Sequence, residues 1–98
     1  MTDNTRKIIK QVLAVPCGKV SSYGAVAAKA GLPNGARQVV RTLHSMSEKY
    51  SLPWHRIIRA DGHVALEGEG KALQITLLRG EGVKVSKEGK IDMKKYGV

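Results

Sequence analysis

Residues 32–35, Leu-Pro-Asn-Gly, form a turn between two segments that each have the composition of a helix. Before this turn, Ser21-Ser22 offers an N-cap for the alanine-rich segment 23–30. After it, Asn34 can cap a second helix over 35–46. Two short helices joined by a tight turn are typical of a helix-turn-helix, and this pattern limits the possible folds more than any other feature of the chain.

The second of these helices has an apolar side and a basic side at helical spacing. Its apolar positions are Ala36, Val39, Val40, Leu43 and Met46. Another side carries Arg37, Arg41, His44 and Ser45. Small residues such as Ala36 at its beginning would let the backbone approach DNA, and Arg37 could reach into a groove or stack where a base has left.

The rest of the chain predicts two more helices. The first is capped by Asp3 or Asn4 and stopped by Pro16 with Gly18. Its apolar positions are Ile8, Ile9, Val12 and Leu13. The other covers 71–79 and ends at Gly80 or Gly82, after a flexible loop at 67–70, EGEG.

Two short hairpins are also expected. Asp61-Gly62 suits a type I′ turn between strands over 56–60 and 63–66. Alternating apolar residues in 83–93, about a turn at 87–89, predict a basic hairpin or wing. These elements predict an α/β, mostly α, winged-helix-like helix-turn-helix domain with small β-hairpins.

Charge points to a polyanionic partner. Seventeen Lys and Arg against 8 Asp and Glu give a net charge of +9 on 98 residues, a length that predicts one domain over 1–98. A soluble basic protein would have the same balance. In such a protein the exposed cations would form a solvated face, whereas in a DNA-binding protein they would contact phosphates. Both interpretations apply to Arg41, Lys87, Lys90, Lys94 and Lys95.

Several classes of site are not expected. Cys17 is the only cysteine, and the three His stand apart, so no zinc-ligand spacing is present and neither a metal nor a cofactor is predicted. The sequence lacks an apolar run of membrane-spanning length and a signal peptide. We therefore expect no membrane partner and a reducing, cytoplasmic location, associated with the nucleoid if the source is bacterial.

The segment 53–58, PWHRII, has the composition of a reactive loop, yet it contains neither Ser nor Cys. His55 could be a general base, or it could hydrogen-bond within the core. Glu81, flanked by glycines, reads as a surface carboxylate at a helix end. Tyr23 could anchor its helix or place its hydroxyl near a DNA backbone.

Taken together, SSYGAVAAKAG, PNGARQVVRTLHS, PWHRII and RGEGV resemble, in order and over nearly the whole chain, the C-terminal domain of O6-alkylguanine-DNA alkyltransferases. In that family the loop reads Pro-Cys-His-Arg, and its Cys accepts the alkyl group from a flipped base. Trp54 stands at that position here, as in the alkyltransferase-like proteins, which transfer nothing. The family's proton-relay His and Glu match His55 and Glu81, which the resemblance leaves as structural support.

The resemblance implies that the chain, expected to be a monomer, binds O6-alkylguanine in duplex DNA by nucleotide flipping from the minor groove and signals the lesion to nucleotide excision repair. Arg37 matches the finger that fills the vacated stack, and Tyr23 matches the residue that presses on a neighbouring phosphate. Ala36, as a small residue at the start of the same helix, and Arg41, as a phosphate contact, complete the expected DNA-binding residues. Trp54 would stack on the extruded base, and the EGEG loop would yield to bulky adducts.

Three departures and two alternative functions remain. Ala60, Glu67 and Glu69 put the lesion-pocket contacts of 59–72 in doubt, and the family's asparagine hinge is replaced by Met46 and Ser47. One alternative is a sequence-specific helix-turn-helix regulator, which would need a dimer and a defined operator. The other is an active methyltransferase that uses Cys17, a residue distant in sequence from His55.

Overall fold

The computed structural model describes all residues from 1 to 98 and begins with helix α1, Asp3–Leu13. Its N-cap is Thr2, whose hydroxyl accepts a hydrogen bond from the Thr5 amide at 3.2 Å, so the predicted caps Asp3 and Asn4 were wrong. Asp3 lies in the first turn, where the helix dipole favours a carboxylate. Leu13 was also misplaced, because it is 53% exposed at the helix end.

The helix-turn-helix is confirmed as α2, Tyr23–Lys29, and α3, Ala36–Tyr50. Ser22 caps α2 as predicted, since its hydroxyl accepts from the Ala25 amide at 3.0 Å. The cap of α3 is Gly35 and not Asn34, and a Cβ at Gly35 would lie 2.8 Å from the Leu32 Cβ, so the tight turn requires glycine there.

Helix α3 is longer than predicted. It was predicted to end at residue 46, but residues 47–50 contain no helix breaker and continue α3 to Tyr50. The helix ends at Ser51, which adopts the left-handed conformation with φ of 52°.

The sheet is parallel, which contradicts the predicted hairpin about Asp61-Gly62. Strand β1, Ser21–Ser22, pairs with β2, Ile57–Ile58, with Ser21 opposite Ile57. Residues 59–63 form an isolated turn, and the following segment joins the C-terminal part of the chain through a bridge between His63 and Lys90. Burial explains the choice of partner, because both isoleucines of β2 are fully buried.

Helix α4, Gly68–Gly80, ends at Gly80 as predicted but begins three residues early. The EGEG segment is therefore mostly the first turn of α4, and the prediction of a flexible loop was wrong. The predicted C-terminal hairpin is also absent: residues 86–90 form a tight turn without a strand ladder, and a short helix α5, Met93–Tyr96, follows. The apolar alternation was nevertheless a true burial pattern, since Val83, Val85 and Ile91 are buried.

Two hydrophobic clusters meet at β2. One lies among α1, α2 and α3, and Ile57 belongs to it. The other lies beneath α4 and the C-terminal segment, and Ile58 belongs to it. The loop that carries Trp54 and His55 is thereby fixed between the helix-turn-helix and α4. No helix of the fold has the length and hydrophobicity needed to span a membrane.

Candidate nucleic-acid interface

The exposed side of α3 is basic and has no charge partners. Arg37 and Arg41 are exposed, and neither side chain makes a hydrogen bond or ion pair within the chain. No acidic residue lies in the first turn of α3. Val40, predicted on the core side, is 47% exposed between the two arginines and His44, so this face also offers apolar surface. Unpaired guanidiniums on one helix face are free to contact phosphates or bases.

A cavity of about 270 Å³ opens beside this face. Its walls come from α2, α3, the loop at 53–58, the segment before α4 and α4 itself. Its lining residues are Tyr23, Val40, Leu43, His44, Ser47, Trp54, Leu66 and Gln74. The volume is just below the common range for small-molecule sites, about 300–1,000 Å³. A single planar base fits such a space better than a larger ligand.

Trp54 forms one wall of the cavity. It begins a short 3₁₀ helix, Trp54–Arg56, and packs partly buried against the first hydrophobic cluster. Its ring meets the His55 ring edge-on, with centroids 6.2 Å apart and planes at 88°. Indole presents an apolar face and one N–H donor, so this wall can stack on a base but cannot attack one.

Tyr23 lines the same cavity from the first residue of α2. Burial raises the pKa of its hydroxyl above 10.0, so the side chain stays neutral and can donate a hydrogen bond. The structure therefore places Tyr23, Trp54 and α3 around one opening. The DNA-binding roles of Tyr23, Ala36, Arg37, Arg41 and Trp54 remain predictions.

Glu81, one residue after α4, joins three separate segments. Its carboxylate accepts from His55 Nε2 at 2.7 Å, from Arg56 Nη2 at 2.8 Å and from the Gly18 amide at 3.0 Å. Arg56 also donates from Nη1 to the Val15 carbonyl at 2.9 Å. The family resemblance matched His55 and Glu81 to a pair, but it did not indicate that Arg56 and Gly18 also bind Glu81. These contacts form only when α4 packs on the loop at 53–58.

The Arg56 guanidinium is the main cause that lowers the pKa of the Glu81 carboxyl from 4.5 to about 2. Hydrogen bonds from the Gly18 amide and from His55 lower this pKa further, whereas burial acts in the opposite direction. The carboxylate is therefore ionised at neutral pH and can only accept, so His55 Nε2 must be the donor. The carboxylate accepts from Gly18, from His55 and from both Nε and Nη2 of Arg56, so it is itself a weak base. With Nε2 as the donor, Nδ1 is left as the acceptor of the His55 ring. The role of the pair as structural support stays a prediction.

The lowered pKa of Glu81 predicts acid sensitivity. A carboxyl with a depressed folded-state pKa stabilises the fold above about pH 4.5, and the stabilisation is lost as the pH falls towards about 2. Solvent screening at this partly open site reduces the effect to about 1–2 kcal/mol. The free energy of unfolding in urea can be measured for the wild type and for Glu81→Gln from neutral pH to about pH 2. The decrease caused by protonation of Glu81 should appear in the wild type and be missing in Glu81→Gln. Parallel curves for the two proteins would contradict it.

Cys17 lies nearer to this cluster than its position in sequence indicated. It precedes Gly18, whose amide binds Glu81, and it contributes to the raised pKa of Arg56, after the larger effect of Glu81. The thiol is exposed, however, and does not line the cavity. The position outside the cavity argues against Cys17 as an alkyl acceptor.

Gln74 on α4 was also missed. It is only 1% exposed, and its Nε2 donates to the His55 carbonyl at 3.1 Å and to the Ile57 carbonyl at 3.2 Å. A polar residue among the apolar positions of a predicted buried helix was the available indication. No group of three His, Cys, Asp or Glu side chains is arranged to hold a metal ion.

Comparisons with known proteins place the chain in a family. Residues 3–83 match the profile described as 6-O-methylguanine DNA methyltransferase, DNA binding domain. The chain is 40% identical over 90 residues to a DNA base-flipping protein of Vibrio parahaemolyticus, covering 92% of this chain and 90% of the relative. It is 41% identical over 91 residues to a DNA base-flipping protein of Escherichia coli, covering 93% and 70%.

The fold is also similar to a solved protein–DNA complex. The crystal structure of S. pombe Atl1 in complex with damaged DNA containing O6-carboxymethylguanine superposes with a TM-score of 0.88 at 31% identity, over 98% of this chain and 94% of that one. The mostly helical fold with its short parallel sheet agrees with this match. The chain belongs to the family of 6-O-methylguanine DNA methyltransferase DNA-binding domains, as an alkyltransferase-like member.

Proposed function

We propose that this protein binds O6-alkylguanine in duplex DNA, rotates the nucleotide into the cavity beside Trp54 and leaves the alkyl group in place. One observation carries the proposal. A cavity of about 270 Å³ opens next to the unpaired arginines of α3 and presents an indole as the wall of the PWHRII loop. Two relatives are named DNA base-flipping proteins, and S. pombe Atl1 binds damaged DNA containing O6-carboxymethylguanine.

The energetics of flipping fit these residues. Extruding a base costs a few kcal/mol, and less for a base that pairs poorly, as O6-methylguanine does. Arg37, exposed in the first turn of α3, would occupy the vacated stack. Trp54 would stack on the extruded base, which contributes roughly 1–3 kcal/mol. The lesion is thereby favoured over guanine without any chemical step.

The side chains at the cavity support the proposed absence of transfer. The lining residues include no thiol, and the hydroxyl of Ser47 donates to the Leu43 carbonyl of its own helix. His55 donates from Nε2 to an ionised Glu81, which leaves Nδ1 as the basic ring nitrogen, but the cavity offers no thiol for this base to activate. A protein that holds a lesion without removing it needs other proteins to act on the exposed site. We therefore propose nucleotide excision repair proteins as its partners and a monomer as the binding unit.

A paired assay tests this function. Incubation with a duplex containing one O6-methylguanine should leave the intact mass of the protein unchanged. The same duplex should bind more tightly than an undamaged duplex of the same sequence at the same salt concentration. A stable mass gain of one methyl group would show an active transferase. Equal affinities for the two duplexes would indicate a regulator or a nonspecific DNA-binding protein.

A further inference from the structure

The side chain of Gln74 has a buried acceptor without a partner. Its two N–H groups are both used, one on the His55 carbonyl at 3.1 Å and one on the Ile57 carbonyl at 3.2 Å. Its Oε1 is buried and receives no hydrogen bond. Gln74 is also a lining residue of the base-sized cavity. The residue that carries the orphaned acceptor therefore belongs to the wall that an extruded base would meet.

The orientation of the amide is fixed by its neighbours. Rotating the Gln74 amide by half a turn would place Oε1 against the carbonyl oxygens of His55 and Ile57, three acceptors without a hydrogen between them. The two carbonyls belong to the loop that carries Trp54, so the same contacts also fasten this loop to α4. Gln74 thus keeps an unpaired acceptor at the cavity wall for as long as the loop is in place.

The chemistry of the lesion restricts what can satisfy this acceptor. Alkylation at O6 removes the proton from N1, and N3, N7 and O6 of the base are acceptors. The exocyclic 2-amino group is then the only N–H donor left on the base. An unpaired buried acceptor is unfavourable, and a base that brings a donor to it relieves this penalty.

We infer that Gln74 Oε1 accepts a hydrogen bond from the exocyclic 2-amino group of the extruded purine, which makes Gln74 a specificity-determining residue of the cavity. This inference rests on the proposed lesion binding. It adds a contact that recognises the guanine ring itself, on an edge of the base separate from the alkyl group. A flipped thymine or adenine lacks that amine.

The test is a double-mutant cycle between one side chain and one amino group. Duplexes containing O6-methylguanine or O6-methylhypoxanthine, which lacks the 2-amino group, are compared for the wild type and for Gln74→Met. Differences in pairing and flipping between the duplexes cancel, because both proteins bind the same two duplexes. The preference for the amine should be about five- to tenfold greater in the wild type than in Gln74→Met.

Controls separate this contact from loop support. If Gln74 had a purely structural role, Gln74→Met would lower the affinity for both duplexes alike and leave the preference for the amine unchanged. That result would overturn the inference. Gln74→Lys keeps donors for the two loop carbonyls but lacks an acceptor, so it should also lose the preference even if Gln74→Met folds poorly. Ser47→Ala, at another polar position in the cavity, should retain it; loss there and not at Gln74 would also overturn the assignment.

The same data distinguish the two proposals. If the wild type bound O6-methylguanine and guanine duplexes equally, the proposed function would fail. If the wild type preferred the lesion but Gln74→Met kept the full amine preference, only the role of Gln74 would be wrong. Circular dichroism of each variant at the binding temperature establishes that the folded protein is compared.

Discussion

Glu81→Gln is expected to lower the free energy of unfolding by about 1–2 kcal/mol at neutral pH, because it leaves the partly buried Arg56 without its carboxylate. Glutamine can accept hydrogen bonds, but it cannot balance the guanidinium charge or bind it with two equivalent oxygens. The substitution also weakens the join between the turn at Gly18, the loop at His55 and the end of α4. Urea unfolding monitored by Trp54 fluorescence measures the change at the loop itself.

Asp61→Asn is the matched control for this substitution. Asp61 also pairs with an arginine and a histidine, Arg59 at 3.1 Å and His63 at 3.3 Å, but its side chain is 49% exposed. Exposed ion pairs contribute about 0–1 kcal/mol, so this variant should unfold almost as the wild type does. Equal stability of Glu81→Gln and the wild type would show that the Glu81 cluster is not a structural support.

Arg37→Ala is expected to lower affinity for an O6-methylguanine duplex by about ten- to a hundredfold, the range that corresponds to loss of one stacking partner. Arg37 is exposed and its side chain makes no hydrogen bond or ion pair within the chain, so its removal should not change the unfolding free energy appreciably. Affinity for an undamaged duplex should fall much less, because an intact stack has no gap to fill. Fluorescence anisotropy at one fixed salt concentration compares the two duplexes.

Arg41→Ala is the control on the same helix face. Arg41 lies one turn further along α3, where we expect a phosphate contact. Arg41→Ala should lower the affinity for both duplexes by similar factors and reduce the slope of log affinity against log salt concentration by about one unit. If Arg37→Ala behaved in this way and Arg41→Ala removed the lesion preference, the two roles would have to be exchanged. If neither changed the preference, the finger assignment would be wrong.

Local patterns predicted the helical part of the fold well. Ser22 caps α2, Gly80 ends α4, and the apolar spacing of α1 buries Ile8, Ile9 and Val12. Caps and helical periodicity depend on residues within a few positions of one another, so they can be read without the tertiary structure.

Two of the errors have a common cause. Ile57–Ile58 was assigned to a hairpin with its sequence neighbours, but it pairs in parallel with Ser21–Ser22 because both clusters of the core meet there. The EGEG segment contains three residues of α4 although glycine has low helix propensity, since packing of the helix overrides local preference. Long-range partners decided both cases.

The sequence by itself determined a basic helix-turn-helix with Arg37 and Arg41 on one side of its second helix, and it determined that the loop at 53–58 carries an indole and no nucleophile. These properties are set by residue identity and helical spacing. Only the tertiary structure decided that Tyr23, Trp54 and Gln74 surround one cavity, and that Glu81 binds His55, Arg56 and Gly18 at once. The physical reason is that burial and hydrogen-bond satisfaction choose partners across the whole chain, and no local pattern records that choice.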